Sequence, residues 1–415
     1  MKTELRGSSL PQLSARTTLS RYLRFYASSE LHHWDEEIDP DVELTRALAV
    51  WERQLGSRPT VLFTNVRGFP GRLVLGNPYP RGVILASMGL DIADWPQVGA
   101  DRLSQPSPGT KLVERSWQFQ SDLRDVPMIR HRPGDAGPYL TAGVAVTKTR
   151  ATGRLNLGVY RVQVVGPKKA LIFFDPKTDA FSNWADYDRA GEPMPIAIFL
   201  GASPVHALVA AAKLPADEDD YEVSARLTNE TVGLTGDLPV PTDASLVIYG
   251  RVLPKLETEG PFAEFKGYYV PARLSNVLEV DAVHFDEDSV LPTIVTGAES
   301  GLTLMAMQNE LLAFHWLTQR GFCVSSVQYP LYARGEFLGL IESDRPTQEM
   351  LDAAMQRDPR CKITIVGKSL PDPWDVLATH PFDAKLAEYR RKGEAHGDRI
   401  GVLVGNPPEG RSVEF

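Results

Sequence analysis

Leu140-Thr141-Ala142-Gly143-Val144-Ala145-Val146-Thr147-Lys148 leads through Thr149-Arg150-Ala151-Thr152-Gly153 to Asn156-Leu157-Gly158-Val159-Tyr160-Arg161-Val162-Gln163-Val164-Val165. The first run alternates, the middle is turn-forming, and the last run is apolar again, so the pattern predicts a β-hairpin. Working outward, Gly166-Pro167-Lys168-Lys169 turns the chain into a strand at Ala170 to Phe174. Ile196 to Gly201 reads as a strand running into a helix that begins near Pro204. Ser203 suits the cap of that helix and Pro204 its first turn. Ala244 to Leu253 and Leu278 to Phe285 are further strands. Hairpins interrupted by one helical unit fit a split β-barrel better than a doubly wound parallel sheet.

The flanks read differently. Toward the N-terminus, Val42 to Gln54 carries Leu44, Leu48, Val50 and Trp51 at helical spacing after an Asp39-Pro40-Asp41 start signal. Val61 to Phe63, Arg72 to Gly76 and Gly82 to Ala86 read as strands, and Asp101 to Thr110, with Pro106 and Pro108, as a linker. After Gly301, Leu302 to Thr318 is an amphipathic helix. Strands at Cys323 to Val327, Glu336 to Ile341 and Lys362 to Val366 follow, with helices at Gln348 to Gln356 and Asp383 to Glu394. The fold class is therefore a mixed α+β and α/β multidomain chain. An N-terminal α/β region (1–109) and a C-terminal α/β module (301–415) flank a central split-β-barrel domain (110–300).

The 415 residues are 43% hydrophobic and 23% charged, which suits two or three globular domains. The 33 Gly and 32 Pro are spread among apolar runs, so they mark turns and not disorder. A net charge of −9 with no Lys/Arg cluster argues against nucleic-acid binding. Cys323 and Cys361 lie in or beside strand-like apolar runs and are expected as buried free thiols. The first residues lack the apolar core of a signal peptide, and no apolar run reaches the roughly 20 residues of a membrane span. The expected location is the cytoplasm.

Arg161 stands out because a guanidinium inside an apolar strand is costly unless paired. Its planar fork can grip a carboxylate through two hydrogen bonds. The competing reading is an edge-strand cation facing water. Glu259-Gly260-Pro261-Phe262-Ala263-Glu264 sets two carboxylates on either side of a Gly-Pro turn that cannot be helical. One can orient the arginine while the other, near a like charge, serves as acid or base. The competing reading is a solvated acidic loop, since Glu257 lies there too. Asn156 and Glu230 offer oxygen ligands for Mg²⁺ or Mn²⁺, or are a turn residue and an exposed acid. His32-His33-Trp34-Asp35-Glu36-Glu37 imitates a metal site but reads as a polar surface turn. Gly367-Lys368-Ser369 has only the tail of a phosphate loop, and His315 reads as a satisfied or partner-facing histidine.

These segments resemble the UbiD family of prenylated-FMN-dependent (de)carboxylases. The likeness runs from Gly137-Pro138-Tyr139 to Thr147, through Thr152-Gly153-Arg154, to Asn156 through Gln163. Pro195 through Pro204, Asp237-Leu238-Pro239-Val240-Pro241, and Glu259 through Glu264 with Gly267-Tyr268-Tyr269 continue it. Thr60 to Gly68 is similar to the family's early strand. The resemblance implies a flavin-binding central domain and a C-terminal module used for homo-oligomerisation, as a dimer or larger. It implies Arg161 as holder of the substrate carboxylate, Glu259 as its partner and Glu264 as proton donor. It also implies contacts to prenylated FMN from Asn156, Val159, Arg161, Gln163 and Glu230. Asn156 and Glu230 would ligate a divalent ion, Mn²⁺ or Mg²⁺, with K⁺ a further candidate. A flavin prenyltransferase would supply the cofactor, and the substrate would be an α,β-unsaturated or aromatic carboxylic acid.

Two departures from the family stand out. Its histidine ligand is missing from Asp175-Pro176-Lys177-Thr178-Asp179, where Asp179 offers oxygen instead. Its cofactor-side lysine is missing after Phe337 to Ile341, where Glu342-Ser343-Asp344-Arg345 follows. They leave two alternatives to a decarboxylase: a degenerate, non-catalytic subunit, and an FMN-dependent split-barrel reductase. On an ideal strand Asn156 and Arg161 face opposite sides, so both can serve one site only if the strand begins after Asn156 or bulges near Gly158.

Overall fold

The computed structural model describes residues 23–26, 31–55, 59–265, 267–370, 384–391 and 394–404. The chain forms two compact units, Met1–Asp91 with Pro106–Leu304, and Ile92–Gln105 with Met305–Phe415. The first unit is organised by a nine-stranded sheet. Its strands are β1 (Phe119–Ser121), β2 (Tyr139–Leu140), β3 (Val144–Lys148), β4 (Leu155–Val159), β5 (Val162–Gly166), β6 (Lys169–Ile172), β7 (Met194–Leu200), β8 (Leu246–Glu259) and β9 (Arg273–Phe285). The order is β2-β5-β6-β9-β8-β7-β3-β4, with β1 also on β9. Each of these pairings is antiparallel.

The hairpin expected at 140–165 is present, because β3 pairs with β4 from Val144 opposite Val159 to Lys148 opposite Leu155. The second run is two strands, not one. It breaks at Tyr160 and Arg161, and β5 pairs with β2 and β6 instead. The Tyr160 ring folds back over Gly158, where any Cβ would overlap it, and meets Phe174 edge-on at 5.0 Å. The strand parity that would separate Asn156 from Arg161 ends at this break.

Both faces of β7 are covered. Ile196, Ile198 and Leu200 pack in one core with Ile248 and Val252 of β8 and with Trp184 and Tyr187 of the helix Asp179–Arg189. Each fully buried aliphatic side chain contributes about 1.5–3 kcal/mol. On the other face Phe199 meets His206 of the helix Pro204–Ala211, which in turn meets Tyr221 of the helix Asp220–Thr228. These helices start where the chain supplies caps: Thr178 accepts from the Phe181 amide, and Asp219 from those of Tyr221 and Glu222.

A second sheet of this unit runs Leu31–Trp34, Thr60–Phe63, Leu73–Gly76, Val290–Thr293. His32 and His33 belong to its first strand and not to a surface turn, and His32 meets Trp51 edge-on at 4.7 Å. Gly82 to Ala86, expected as a strand, lies in the helix Arg81–Ser87. Val83, Ile84 and Leu85 are all buried, and such a short, wholly apolar run has no periodicity to separate helix from strand. The expected linker begins inside the helix Gln97–Leu103 and ends at the strand Thr110–Leu112.

In the second unit a five-stranded sheet runs Ser326–Gln328, Leu338–Glu342, Ile363–Gly367, Glu394–Val404, Ala384–Arg391, beside the helix Gln348–Arg357. The helix expected at Asp383 to Glu394 is corrected: of its described residues, 384–391 form a strand antiparallel to Glu394–Val404, and Glu394 opens that second strand. The ladder overrides the helix propensity of Ala, Lys, Leu and Glu; Asp383, Lys392 and Gly393 lie outside the described residues. Both cysteines are free; Cys361 is buried, whereas Cys323 is exposed, against expectation. His315 Nδ1 lies 3.3 Å from the Ala100 carbonyl oxygen. No described helix is long and apolar enough to cross a membrane.

His131 is buried in the first unit, with Nε2 2.8 Å from Thr293 Oγ1 and Nδ1 unpartnered. Burial, and then the charge of Arg132, push it down to about 3. The unfolded chain binds this proton below about pH 6.5 and the folded chain only near pH 3, so stability is lost as pH falls through that window. At pH 5 the loss relative to pH 7 is about 2 kcal/mol. His131→Gln should remove that slope in urea denaturation at the two pH values.

Candidate active site

β8 ends at Glu259, directly across from Arg273 of β9. The chain then turns at Gly260, whose φ of 89° favours glycine, and at a cis Gly260-Pro261 bond. Phe262–Ala263 pairs with Tyr269–Val270 as a small hairpin, so the expected non-helical turn is present. Three hydrogen bonds from two segments pin it. The Gly260 amide donates to Gln163 Oε1 at 3.2 Å, the Ala136 amide to the Pro261 carbonyl at 2.9 Å, and the Ala263 amide to Asp135 Oδ1 at 3.0 Å.

Arg161 leaves the β4–β5 break and forks onto Glu259. Nε donates to Oε1 at 3.0 Å and Nη2 to Oε2 at 2.8 Å. The Arg161 side chain is 15% exposed and that of Glu259 1%. Tyr139 Oη donates to the same carboxylate at 3.0 Å and Ser275 Oγ at 3.3 Å. A buried ion pair stands only when its remaining lone pairs are also met, and here they are. Burial and the Glu259 charge push the Tyr139 phenol well above its ordinary value. The Arg161 guanidinium also sits 5.3 Å from the Phe173 centroid and 5.1 Å from that of Phe262. Nη1 is the edge of Arg161 that Glu259 leaves unused.

Glu264 lies half-buried on the hairpin loop. Its Oε1 accepts from the Phe265 amide at 3.2 Å, and its own amide donates to the Tyr268 carbonyl at 2.8 Å. Arg273 feels the charges of Arg161, Glu259 and Glu264 together, so the four lie within one electrostatic neighbourhood.

Asn156 is half-buried on β4 and its Nδ2 is enclosed without a partner. Glu230 is not brought to it. It is exposed just past the C-terminal end of the nine-residue helix Asp220–Thr228. The acid that reaches β4 is Asp220, whose Oδ2 accepts from the Leu157 amide. At 1.5 Å rise per residue the helix from Asp220 to Thr228 sets the two acids about 12 Å apart along its axis. Burial, offset by the Leu157 amide, and the charges of Asp219 and Asp179 push Asp220 up to about 7. Its sequence signal was an Asp219-Asp220 pair opening a helix, which reads as ordinary capping. Asp179 is exposed at the head of its own helix. Among the described residues no group of three or more His, Cys, Asp or Glu is placed to hold a metal. Asp220, and not Glu230, is thus the acid that reaches the strand carrying Asn156. Gln163 is buried and holds Gly260, and Val159 is half-buried at the end of β4.

Residues 105–299 match the family model described as UbiD: 3-octaprenyl-4-hydroxybenzoate carboxy-lyase Rift-related domain. A protein of Aquifex aeolicus (strain VF5), itself uncharacterised, is 32% identical over 193 residues, which are 45% of this chain and 40% of that protein. The match thus spans well under half the length of that relative. In structure, the chain is similar to the UbiD-class enzyme HmfF from Pelotomaculum thermopropionicum in complex with prFMN, with a TM-score of 0.84, 24% identity and 96% of each chain covered. It is also similar to apo 3,4-dihydroxybenzoic acid decarboxylase (AroY) of Klebsiella pneumoniae, with a TM-score of 0.81, 18% identity and 94% of each chain covered. At these identities the likeness establishes a shared fold.

Proposed function

Because residues 105–299 of this chain are a UbiD-family domain, we propose that the protein is a reversible non-oxidative decarboxylase of an α,β-unsaturated or aromatic carboxylic acid that works with prenylated FMN. One observation carries the reading: a buried, forked Arg161–Glu259 pair with a free guanidinium edge, in the same neighbourhood as Glu264, which forms no ion pair among the described residues.

When bound, prenylated FMN supplies the electron sink for the pair left behind as CO₂ departs. Nη1 of Arg161 holds the substrate carboxylate, and Glu259, fixed by Tyr139 and Ser275, keeps the guanidinium in one orientation. Phe173 and Phe262 flank the guanidinium and limit water at the reacting carbon. The bond from that carbon to the carboxylate breaks, CO₂ leaves, and Glu264 gives its proton to the same carbon. In the carboxylation direction Glu264 takes the proton. Asn156 and Asp220 would hold a Mg²⁺ or Mn²⁺ ion, which would offset the cofactor phosphate. A flavin prenyltransferase is the implied partner, and a homo-dimer or larger assembly is the proposed state.

The reading is tested by producing the protein together with a flavin prenyltransferase and offering it a panel of cinnamic- and benzoic-type acids. The expected result is a modified flavin spectrum and acid-dependent CO₂ release. A colourless protein that takes up neither FMN nor its prenylated form would instead support the degenerate subunit. That second reading has its own support in the histidine-free segment Asp175 to Asp179 and the lysine-free segment Glu342 to Arg345.

A further inference from the structure

Arg273 opens β9 opposite Glu259, and Ser275, two residues on, donates to that same carboxylate. Residues i and i+2 of a strand share a face, so Arg273 lies on the Glu259 side of the β8–β9 ribbon. Its guanidinium stacks 3.9 Å from the centroid of Phe173, the ring that also flanks Arg161. Its Nε is buried with no hydrogen-bond partner, and Glu259, Glu264 and Asp175 act on it through their charges. The nearest acid across the ribbon, Glu259, is already taken by Arg161, Tyr139 and Ser275.

Charge completes the argument. Arg161 and Glu259 cancel. When Glu264 carries the proton it is to donate, the only other acid acting on Arg273 among the described residues is Asp175, the weakest of the three. Burial, and then the positive charge of Arg161, push its guanidinium below the ordinary range, so an arriving anion relieves a strained cation. We propose that Arg273 is a second, specificity-determining cation of the acid site, which shares the substrate carboxylate with the free edge of Arg161 and admits the acid only as its anion. This assignment rests on the carboxylate-binding reading of Arg161. The guanidinium has a ring on one side and a buried Nε without a partner.

The experiment titrates benzoate and its neutral isostere benzamide, by calorimetry, into protein purified after co-production with a flavin prenyltransferase. Wild type, Arg273→Gln and Arg273→Lys are compared, with thermal melts to verify folding. Wild type should prefer benzoate over benzamide. Arg273→Gln should lose at least tenfold in benzoate affinity with benzamide unchanged, and Arg273→Lys should keep the preference within about threefold, since it keeps the charge. If Arg273→Gln does not fold, the lysine variant carries the test: loss of its benzoate preference overturns the charge assignment. A preference that survives in Arg273→Gln overturns the role of Arg273 and leaves the Arg161 site standing. Equal weakening of both ligands marks a structural residue and also overturns it. No preference in the wild type overturns the acid site itself.

Discussion

Glu264→Gln is expected to lower turnover of the flavin-loaded protein by about 10²–10⁴-fold, the usual contribution of a positioned general acid. The substitution keeps the shape of the side chain. An amide oxygen can still accept from the Phe265 amide, as Glu264 Oε1 does at 3.2 Å, so the hairpin loses no contact. Stability should therefore move by less than about 0.5 kcal/mol, as for a substitution away from buried networks. The flavin spectrum should persist, because Glu264 lies on the Phe262–Ala263 hairpin and not on β4 or β5. What the amide lacks is an acidic proton. If Glu264 gives that proton in the step that limits turnover, KM changes little and kcat falls. Steady-state kinetics, with incorporation of deuterium from D₂O into the product, measure both. Full turnover by Glu264→Gln would remove the residue from the proton path.

The sequence made the antiparallel part of this fold readable where local pattern and long-range pairing agree. Val144 to Lys148 and Asn156 to Val159 alternate around a turn, and they pair with one another. It failed where pairing partners decide. Nothing in the apolar run from Asn156 to Val165 marks the handover from β3 to β6 and β2, because the break depends on a tyrosine ring resting on Gly158. The helix at Arg81–Ser87 and the strand at Ala384–Arg391 were misread for similar reasons: burial on all sides erases periodicity, and a neighbouring strand overrides propensity. At the site, Arg161 was legible as an arginine that needs a partner in an apolar run, whereas Glu259 as that partner came from the family resemblance. Asp220 was not, since a helix-opening acid looks like a cap. Arg273 was hidden too: on a strand end it looks like a solvated cation, and only the register with Glu259 places it.

Arg161→Met should destabilise the protein by about 3–5 kcal/mol, the cost of breaking a buried ion pair from one side. The loss is large against a total stability of about 5–15 kcal/mol. Glu259 is 1% exposed and would keep only Tyr139 and Ser275 as donors. Methionine matches much of the length of the arginine and can keep its contacts with Phe173 and Phe262, so the lesion is chiefly the lost charge and fork. The double variant Arg161→Met with Glu259→Gln tests this directly. It removes both charges and leaves an amide that Tyr139 and Ser275 can still address. If the pair is coupled as its two bonds of 3.0 and 2.8 Å imply, the double variant should be more stable than the single one, with a coupling of about 1–3 kcal/mol. Urea denaturation of the four proteins gives that number. A cost under about 1 kcal/mol for Arg161→Met would match an exposed pair and contradict the burial. Both variants should be inactive whatever their stability, because neither offers the free Nη1 edge to the substrate carboxylate. A stable but inactive double variant would thus separate the guanidinium's part in folding from its part in holding the acid.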